Sequence, residues 1–463
     1  MRNKARGRTL LIFSTFKNAA CGSAADGTYR KEPIMNQELF SFIRNCPTAY
    51  HAVEQIASVL SKDGYTPLFE GEKWEVRPGG RYYVTRNGSS VIAFAVPEGE
   101  IRGFMPAAAH CDSPAFKIKE NPEICDEMYV RLSTEKYGGM LCAPWMDRPL
   151  SVAGRVCLRT ESGMAVKTVD LKKTMAVIPS VAIHMNRAAN ENAKYDPAVD
   201  MLPLLGTAAH KGSLLAAVAE EIGARAEDIL STDLFLYNPE EGVEWNGLIA
   251  APRLDDLECV FAALEAFRAA KVGRSLPLLC VFDNEEVGSS TKQGADSTFF
   301  SDVLHRLCGA LGLPEDACAR LLANSLMLSC DNAHARHPNH PEFADRNHTS
   351  ALNGGIVIKY NANQRYTSDA VSVSLFRLLC ERAGVPVQYY ANRADMPGGS
   401  TLGNIANTHV SLNTVDIGLA QLAMHSSFET AGAEDLLSMT KALTRFFGAS
   451  VTALPDGSYE LIG

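Results

Sequence analysis

From Asp255 to the C-terminus the chain alternates helix-patterned and strand-patterned runs, and that alternation restricts it to few folds. "DDLECVFAALEAF" sets Leu257, Val260, Phe261, Leu264 and Phe267 on one helical face. "LPLLCVFDNEE" and "LANSLMLSCD" are strand runs, "SDAVSVSLFRLLCERAG" a helix and "PVQYYANR" another strand. "EDLLSMTKALTRFF" closes the series with a helix carrying Leu436, Met439, Leu443 and Phe446. Strands joined through helices pair in parallel, so the fold class is α/β with a mostly parallel sheet.

The first half adds a different texture. Helical spacing runs from Asn36 to about Ser61 with a break at Cys46-Pro47, and "RYYVTRNGSSVIAFAV" alternates around Asn87-Gly88 as a hairpin does. "GFMPAAAHCDS" is a strand. Beyond Ser113-Pro114 short strands follow one another to about Ile183, then comes the helix "GSLLAAVAEEIGA" and a linker from Asn238-Pro239 to Gly247. With 463 residues, too many for one ordinary core, two domains are expected. Residues 35–113 and 247–463 would form the α/β domain, and 114–246 a β-rich unit inserted into it. Residues 1–34 hold an apolar stretch only from Leu10 to Phe13, shorter than the roughly 7–15 residues of a signal-peptide core. They are expected to be a disordered extension, with Met35 an alternative start.

A net charge of −9 argues against a nucleic-acid partner, since phosphate binding needs a basic face. No apolar run approaches the roughly 18 residues of a membrane span. The 12 cysteines are scattered without a C-x-x-C pair, which suits reduced, mostly buried thiols and a cytoplasmic location.

Several apolar runs lead straight into ligand-type side chains. "FMPAAAH" ends in His110, "LLCVFDNEE" in Glu285 and Glu286, and "SLMLSCD" in Asp331. "APRLD" puts Asp255 at a helix entry and "LAQLAMHS" supplies His425. Buried carboxylates are costly without a compensating cation or hydrogen bonds. The carboxyl ends of strands in an open α/β sheet line one crevice, so these distant segments can converge. Histidine nitrogens with carboxylate oxygens suit zinc, manganese or cobalt. With one shared carboxylate the set can hold two ions about 3.5–4 Å apart, the geometry of two-metal hydrolases. One of the adjacent glutamates would be a ligand and its neighbour a general base, since successive side chains at a strand end point to opposite sides.

Other features take plainer explanations. Pro338 breaks any helix that could align His334, His337 and His340 into a further metal site. "PGGSTLGN" has phosphate-loop glycine spacing but places Asn404 where the lysine belongs, so it is expected to be a loop lining the site. His51, His210, His305 and His409 belong to no such motif. Lys359 and Tyr366 alone would pass for a strand end and a helix-entry packing residue.

The ordered series "HCDSP", "YGG" at Tyr137–Gly139, "DRPLSVAGRV", "AIHMNR", "APRLDDL", "DNEEVGS", "DNAHARHPN", "IKYNANQRYTSDA" and "QLAMHS" resembles the aspartyl aminopeptidase family from Met35 to the C-terminal helix. The resemblance implies a two-metal catalytic domain with an inserted dimerisation domain, and dimers that build a tetrahedral dodecamer. It assigns one ion to His110, Asp255 and Asp331, and the other to Asp255, Glu286 and His425. Glu285 would be the general base for the attacking water, and Asp112 would orient His110. Substrate contacts would include Glu285, Asp331, His334, Lys359, Tyr366 and His184, the last reaching a neighbouring subunit's site. The substrate would be a peptide with a free N-terminal aspartate or glutamate, with Lys359 pairing its carboxylate. Departures from the family pattern are Cys111, Asp256 in place of a common asparagine, and Gly398-Gly399. Two alternatives stand beside it: a two-metal amidase for N-acyl amino acids, and a non-catalytic shell protein.

Overall fold

The expected parallel strands form the middle of a nine-stranded sheet, in the order Thr66–Leu68, Arg81–Arg86, Ser90–Ala95, Leu276–Phe282, Phe104–His110, Leu326–Cys330, Asn413–Gly418, Ile356–Tyr360, Val387–Ala391. The computed structural model describes residues 32–191 and 193–463. Leu276–Phe282, Phe104–His110, Leu326–Cys330 and Asn413–Gly418 run parallel to one another. Three of these four are buried at every position, as strands covered on both faces must be. At one edge the hairpin Arg81–Arg86 and Ser90–Ala95 pairs antiparallel across Asn87 and Gly88, whose φ values of 59° and 66° suit a two-residue turn.

Helices cover both faces. Glu32–Asn45, Ala49–Lys62, Leu254–Ala269, Ala370–Ala383 and Asp435–Phe447 pack one side, through a core that includes Leu39, Ile56, Leu264, Phe376 and Phe446. Phe299–Ala310, Glu315–Ala323 and Leu402–Ala406 cover the other through Phe299, Leu307, Leu321 and Leu402. The first helix opens at Glu32, ahead of the expected start at 35, and residues 1–31 of the expected extension lie outside the described residues.

A second sheet of six strands is built from residues 115–237, with its own core around Phe116, Trp145, Val152, Leu214 and Leu234. Both sheets belong to one compact unit, Glu32–Gly463. The expected linker is partly structured: Val243–Trp245 pairs with Leu248–Ala251 around Asn246-Gly247 and joins a smaller sheet ending beside His425. The thiol expectation needs a correction. Cys308 and Cys318 are paired as a disulfide, because two successive helices bring their Cα atoms to 6.3 Å, within bonding range. The other described cysteines are free, and Cys46, Cys111, Cys259, Cys280, Cys330 and Cys380 are buried.

Candidate metal centre

Three adjacent parallel strands end at one edge, with Phe282 opposite His110, and the acids gather there. His110 closes its strand and Asp331 directly follows Cys330. The glutamates differ from expectation. They sit on a 3₁₀ turn, Glu285–Val287, entered through Asn284 at φ 63°, and not on the strand end. What holds the turn is Asp112: its Oδ1 accepts the Glu285 N–H and its Oδ2 the Glu286 N–H, each at 3.1 Å. The two side chains are therefore separated by turn geometry and a carboxylate anchor, not by strand pleating.

Asp255 sits at the entry of Leu254–Ala269 with a backbone that is not yet helical (φ −79°, ψ 106°), two residues after Arg253 in the left-handed region at φ 57°. Its two oxygens divide: Oδ1 is 3.4 Å from His110 Nε2 and Oδ2 is 3.5 Å from His425 Nε2. His110 Nε2 is also 4.0 Å from Asp331 Oδ1, and His425 Nε2 is 3.4 Å from Glu286 Oε2. Two donors each about 2.1 Å from a tetrahedral ion are about 3.4 Å apart, so these spacings leave room for an ion between the donors. Both histidines present Nε2 to the acids: Nδ1 of His110 faces the Asp112 carbonyl at 3.0 Å and Nδ1 of His425 the Gly139 carbonyl at 2.5 Å, the orientation a metal-binding histidine would need. Among the described residues, the ligand groups close enough to hold an ion are His110–Asp255–Asp331, Asp255–Glu286–His425 and His110–Glu285–Glu286. Asp255 Oδ1 and Glu286 Oε1 are buried without a hydrogen-bond donor, which fits oxygens that would coordinate an ion.

The charges fit the same account. Burial pushes Glu285 up to about 8, with Asp331 and Asp112 adding repulsion, and it drives Glu286 well above the usual carboxylate range. Burial also opposes the charge of Asp255, yet His110 and His425 beside it hold that carboxyl below its ordinary value. A buried group of acids that cannot all ionise together is a strong site for divalent cations.

A cavity of about 140 Å³ opens onto the centre, walled by His110, Asp255, Glu285, Asp331, His334, Lys359, Tyr366 and His425 together with Gly399, Ser400 and Thr401 of the glycine loop. Glu286 and Asp112 are not in this wall, and they lie behind it. Lys359 is buried beneath the Asp331 backbone, and its Nζ stands 5.2 Å from the Tyr366 ring centroid. His184 is not brought to this centre. It is exposed on a loop of the inserted unit. His337 and His340 face each other at 5.4 Å, and His340 pairs with Glu342, while His334 turns to Tyr390.

Sequence reasoning missed Glu429. Its carboxylate accepts the backbone N–H of Asp255 at 3.0 Å and of His425 at 2.7 Å, tying these two segments together from a fully buried position. The lone acid in "SSFETAG" was the available signal.

Comparison with known proteins matches residues 42–447 to the family described as Aminopeptidase I zinc metalloprotease (M18). A relative from Clostridium novyi (strain NT), described as "Probable M18 family aminopeptidase 2", is 45% identical over 423 residues, 89% of this chain and 98% of its own length. Among solved structures, a chain of the cryo-EM structure of the Ape4 and Nbr1 complex shares 32% identity with a TM-score of 0.87, over 90% of this chain and 86% of that one. The mApe1 dodecamer of S. cerevisiae shares 28% identity with a TM-score of 0.78, over 90% of this chain and 96% of that one.

Proposed function

The chain belongs to the aminopeptidase I zinc metalloprotease (M18) family, and from that premise we propose that it releases N-terminal residues, by preference aspartate or glutamate, from peptides with a free amino end. The observation that carries the mechanism is the division of Asp255 between two histidines, with Glu285 lining the cavity beside them. His110, Asp255 and Asp331 would hold one ion, and Asp255, Glu286 and His425 a second. Zinc is the family's metal, and the nitrogen-oxygen donor set also suits manganese or cobalt. Bound ions of this kind polarise a carbonyl and make water more acidic.

The residues then divide the work. Glu285 takes a proton from the attacking water and returns it to the leaving amine, and its place in the cavity wall beside His110, Asp255 and Asp331 suits that exchange. Asp112 keeps Glu285 and Glu286 in register through their backbone N–H groups. Lys359 is the one lysine or arginine in the described cavity wall, which supports an acidic side chain as the preferred occupant. Tyr366 and His334 shape the same wall.

A homo-oligomer completes the reading, with a dimer as the unit and twelve subunits as the shell. The loop around His184 exposes Val181, Ile183, Met185 and Val199, an apolar set suited to a subunit contact that would carry His184 to a neighbour's site. No helix of the described residues is long and apolar enough to cross a membrane. The mostly free, buried cysteines support a cytoplasmic location.

The test pairs metal analysis with hydrolysis of peptides that begin with Asp, Glu or Leu, each with a free or an acetylated N-terminus. Release of the first residue from free peptides only, fastest for Asp and Glu, is expected. Turnover of acetylated substrates instead would favour the amidase, and a metal-free protein without turnover would favour the shell protein.

A further inference from the structure

The inserted sheet reaches the metal centre through one short segment. The strand Tyr129–Tyr137 ends there, and the next residues touch the site on three sides. The Tyr137 hydroxyl donates to Asp112 Oδ2 at 2.7 Å and accepts from Asn284 Nδ2 at 2.8 Å. Gly138, at φ +76°, lies against Glu286, so that a Cβ there would meet the Glu286 Cβ at 3.1 Å. The Gly139 carbonyl faces His425 Nδ1, and the Leu141 N–H donates to the His425 carbonyl at 3.0 Å.

Asp112 is engaged at both oxygens. Its two oxygens carry the Glu285 and Glu286 N–H groups, and without the tyrosine its Oδ2 would lose its hydroxyl donor in a buried setting. Tyr137 is itself fixed from the inserted sheet by an edge-on contact with Phe235, ring centroids 5.5 Å apart. Asn284, which donates to this hydroxyl, is itself the left-handed residue that starts the glutamate turn.

We infer that Tyr137–Leu141 is a positioning element for the metal centre: Tyr137 sets the Glu285–Glu286 turn through Asp112, and Gly139 sets the His425 ring. The inserted unit therefore completes the active site within its own subunit, separately from any contact it makes to a neighbour. This inference rests on the two-metal reading above. It assigns Tyr137 no contact with substrate.

Tyr137→Phe removes the hydroxyl and keeps the ring, and Phe235→Leu removes the packing and keeps the hydroxyl. Zinc affinity of the metal-stripped full chain is measured by competition with a chromophoric chelator, alongside kcat, KM and the melting temperature without metal. Tyr137→Phe is expected to weaken zinc binding and lower kcat, each by about 10–100-fold, the range for partners that orient metal ligands. KM should stay near wild type, and Phe235→Leu, which loosens the ring but keeps the hydroxyl, should lose less zinc affinity than Tyr137→Phe at a comparable fall in metal-free melting temperature. Unchanged zinc affinity and kcat in Tyr137→Phe, or equal losses in Phe235→Leu, would overturn the positioning role alone. A wild-type chain that binds no zinc would overturn the two-metal reading and this inference with it.

Discussion

The Lys359 ammonium donates to the backbone carbonyl of Asp331 at 2.8 Å and stands 3.4 Å from that residue's carboxylate. A residue proposed to choose the substrate thus also holds a proposed metal ligand. Burial disfavours the lysine charge, yet Asp331 beside it keeps its pKa above the ordinary value, so the ammonium persists across the working range.

Lys359→Met should therefore slow every substrate, because Asp331 loses its partner, and slow acidic substrates further. A charged hydrogen bond is worth about 1.5–3 kcal/mol, so the ratio of kcat/KM for Asp to that for Leu peptides should fall by about 10-fold or more. An unchanged ratio would leave Lys359 as support for Asp331 only.

Glu285→Gln and Glu286→Gln should separate base from ligand. The first keeps its metal content while kcat falls by about 10²–10⁴-fold, and the second loses occupancy of one ion. Glu285 lines the cavity, whereas Glu286 faces His425 at 3.4 Å. Metal loss confined to Glu285→Gln would reverse the two roles.

The metal-free protein should lose stability as pH rises. Burial lifts Asp283 to about 7, and Glu285 and Glu429 to about 8. Burial works against charge on His425, but Asp255 and Glu286 carry it up to about 10. Each folded-state pKa exceeds its unfolded value, so their contribution is full below the unfolded values and is lost as pH climbs from about 4 for the acids, or about 6.5 for His425, to the folded values of about 7–10. Melting temperatures without metal should be lower at pH 8.5 than at pH 6, and saturating zinc should add more at the higher pH because it displaces these protons. A metal-free chain that melts higher at pH 8.5 would contradict this.

His184→Ala should be severely impaired, by about 10²–10³-fold in kcat, with its metals intact, if the histidine stabilises developing charge in a neighbour's site. Mixed with inactive Glu285→Gln after dissociation and reassembly, it should regain activity, because one site of a mixed dimer then has both residues. No recovery in verified mixed dimers, or full activity in a verified monomer, would exclude the arrangement.

The apolar runs ending in His110, Glu285, Glu286 and Asp331 were legible because a strand buried on both faces needs continuous hydrophobic residues, and acids at its end then stand out. The Asn87-Gly88 hairpin was legible because only residues tolerant of positive φ make that turn. Helices Phe299–Ala310 and Glu315–Ala323 were not anticipated, nor was the Cys308–Cys318 pair they bring together.

What the sequence by itself determined was the α/β class, the parallel strands and the acids and histidines that are candidates for ligands, since periodicity and composition act locally along the chain. Only the tertiary structure decided how they combine: which histidine each Asp255 oxygen faces, that Asp112 carries the glutamate turn, that Glu429 ties Asp255 to His425, and that Tyr137 reaches in from the other sheet. These are hydrogen bonds and ion pairs between residues up to 174 positions apart. Their partners are chosen by how the strands order and the two sheets pack, which local spacing does not encode.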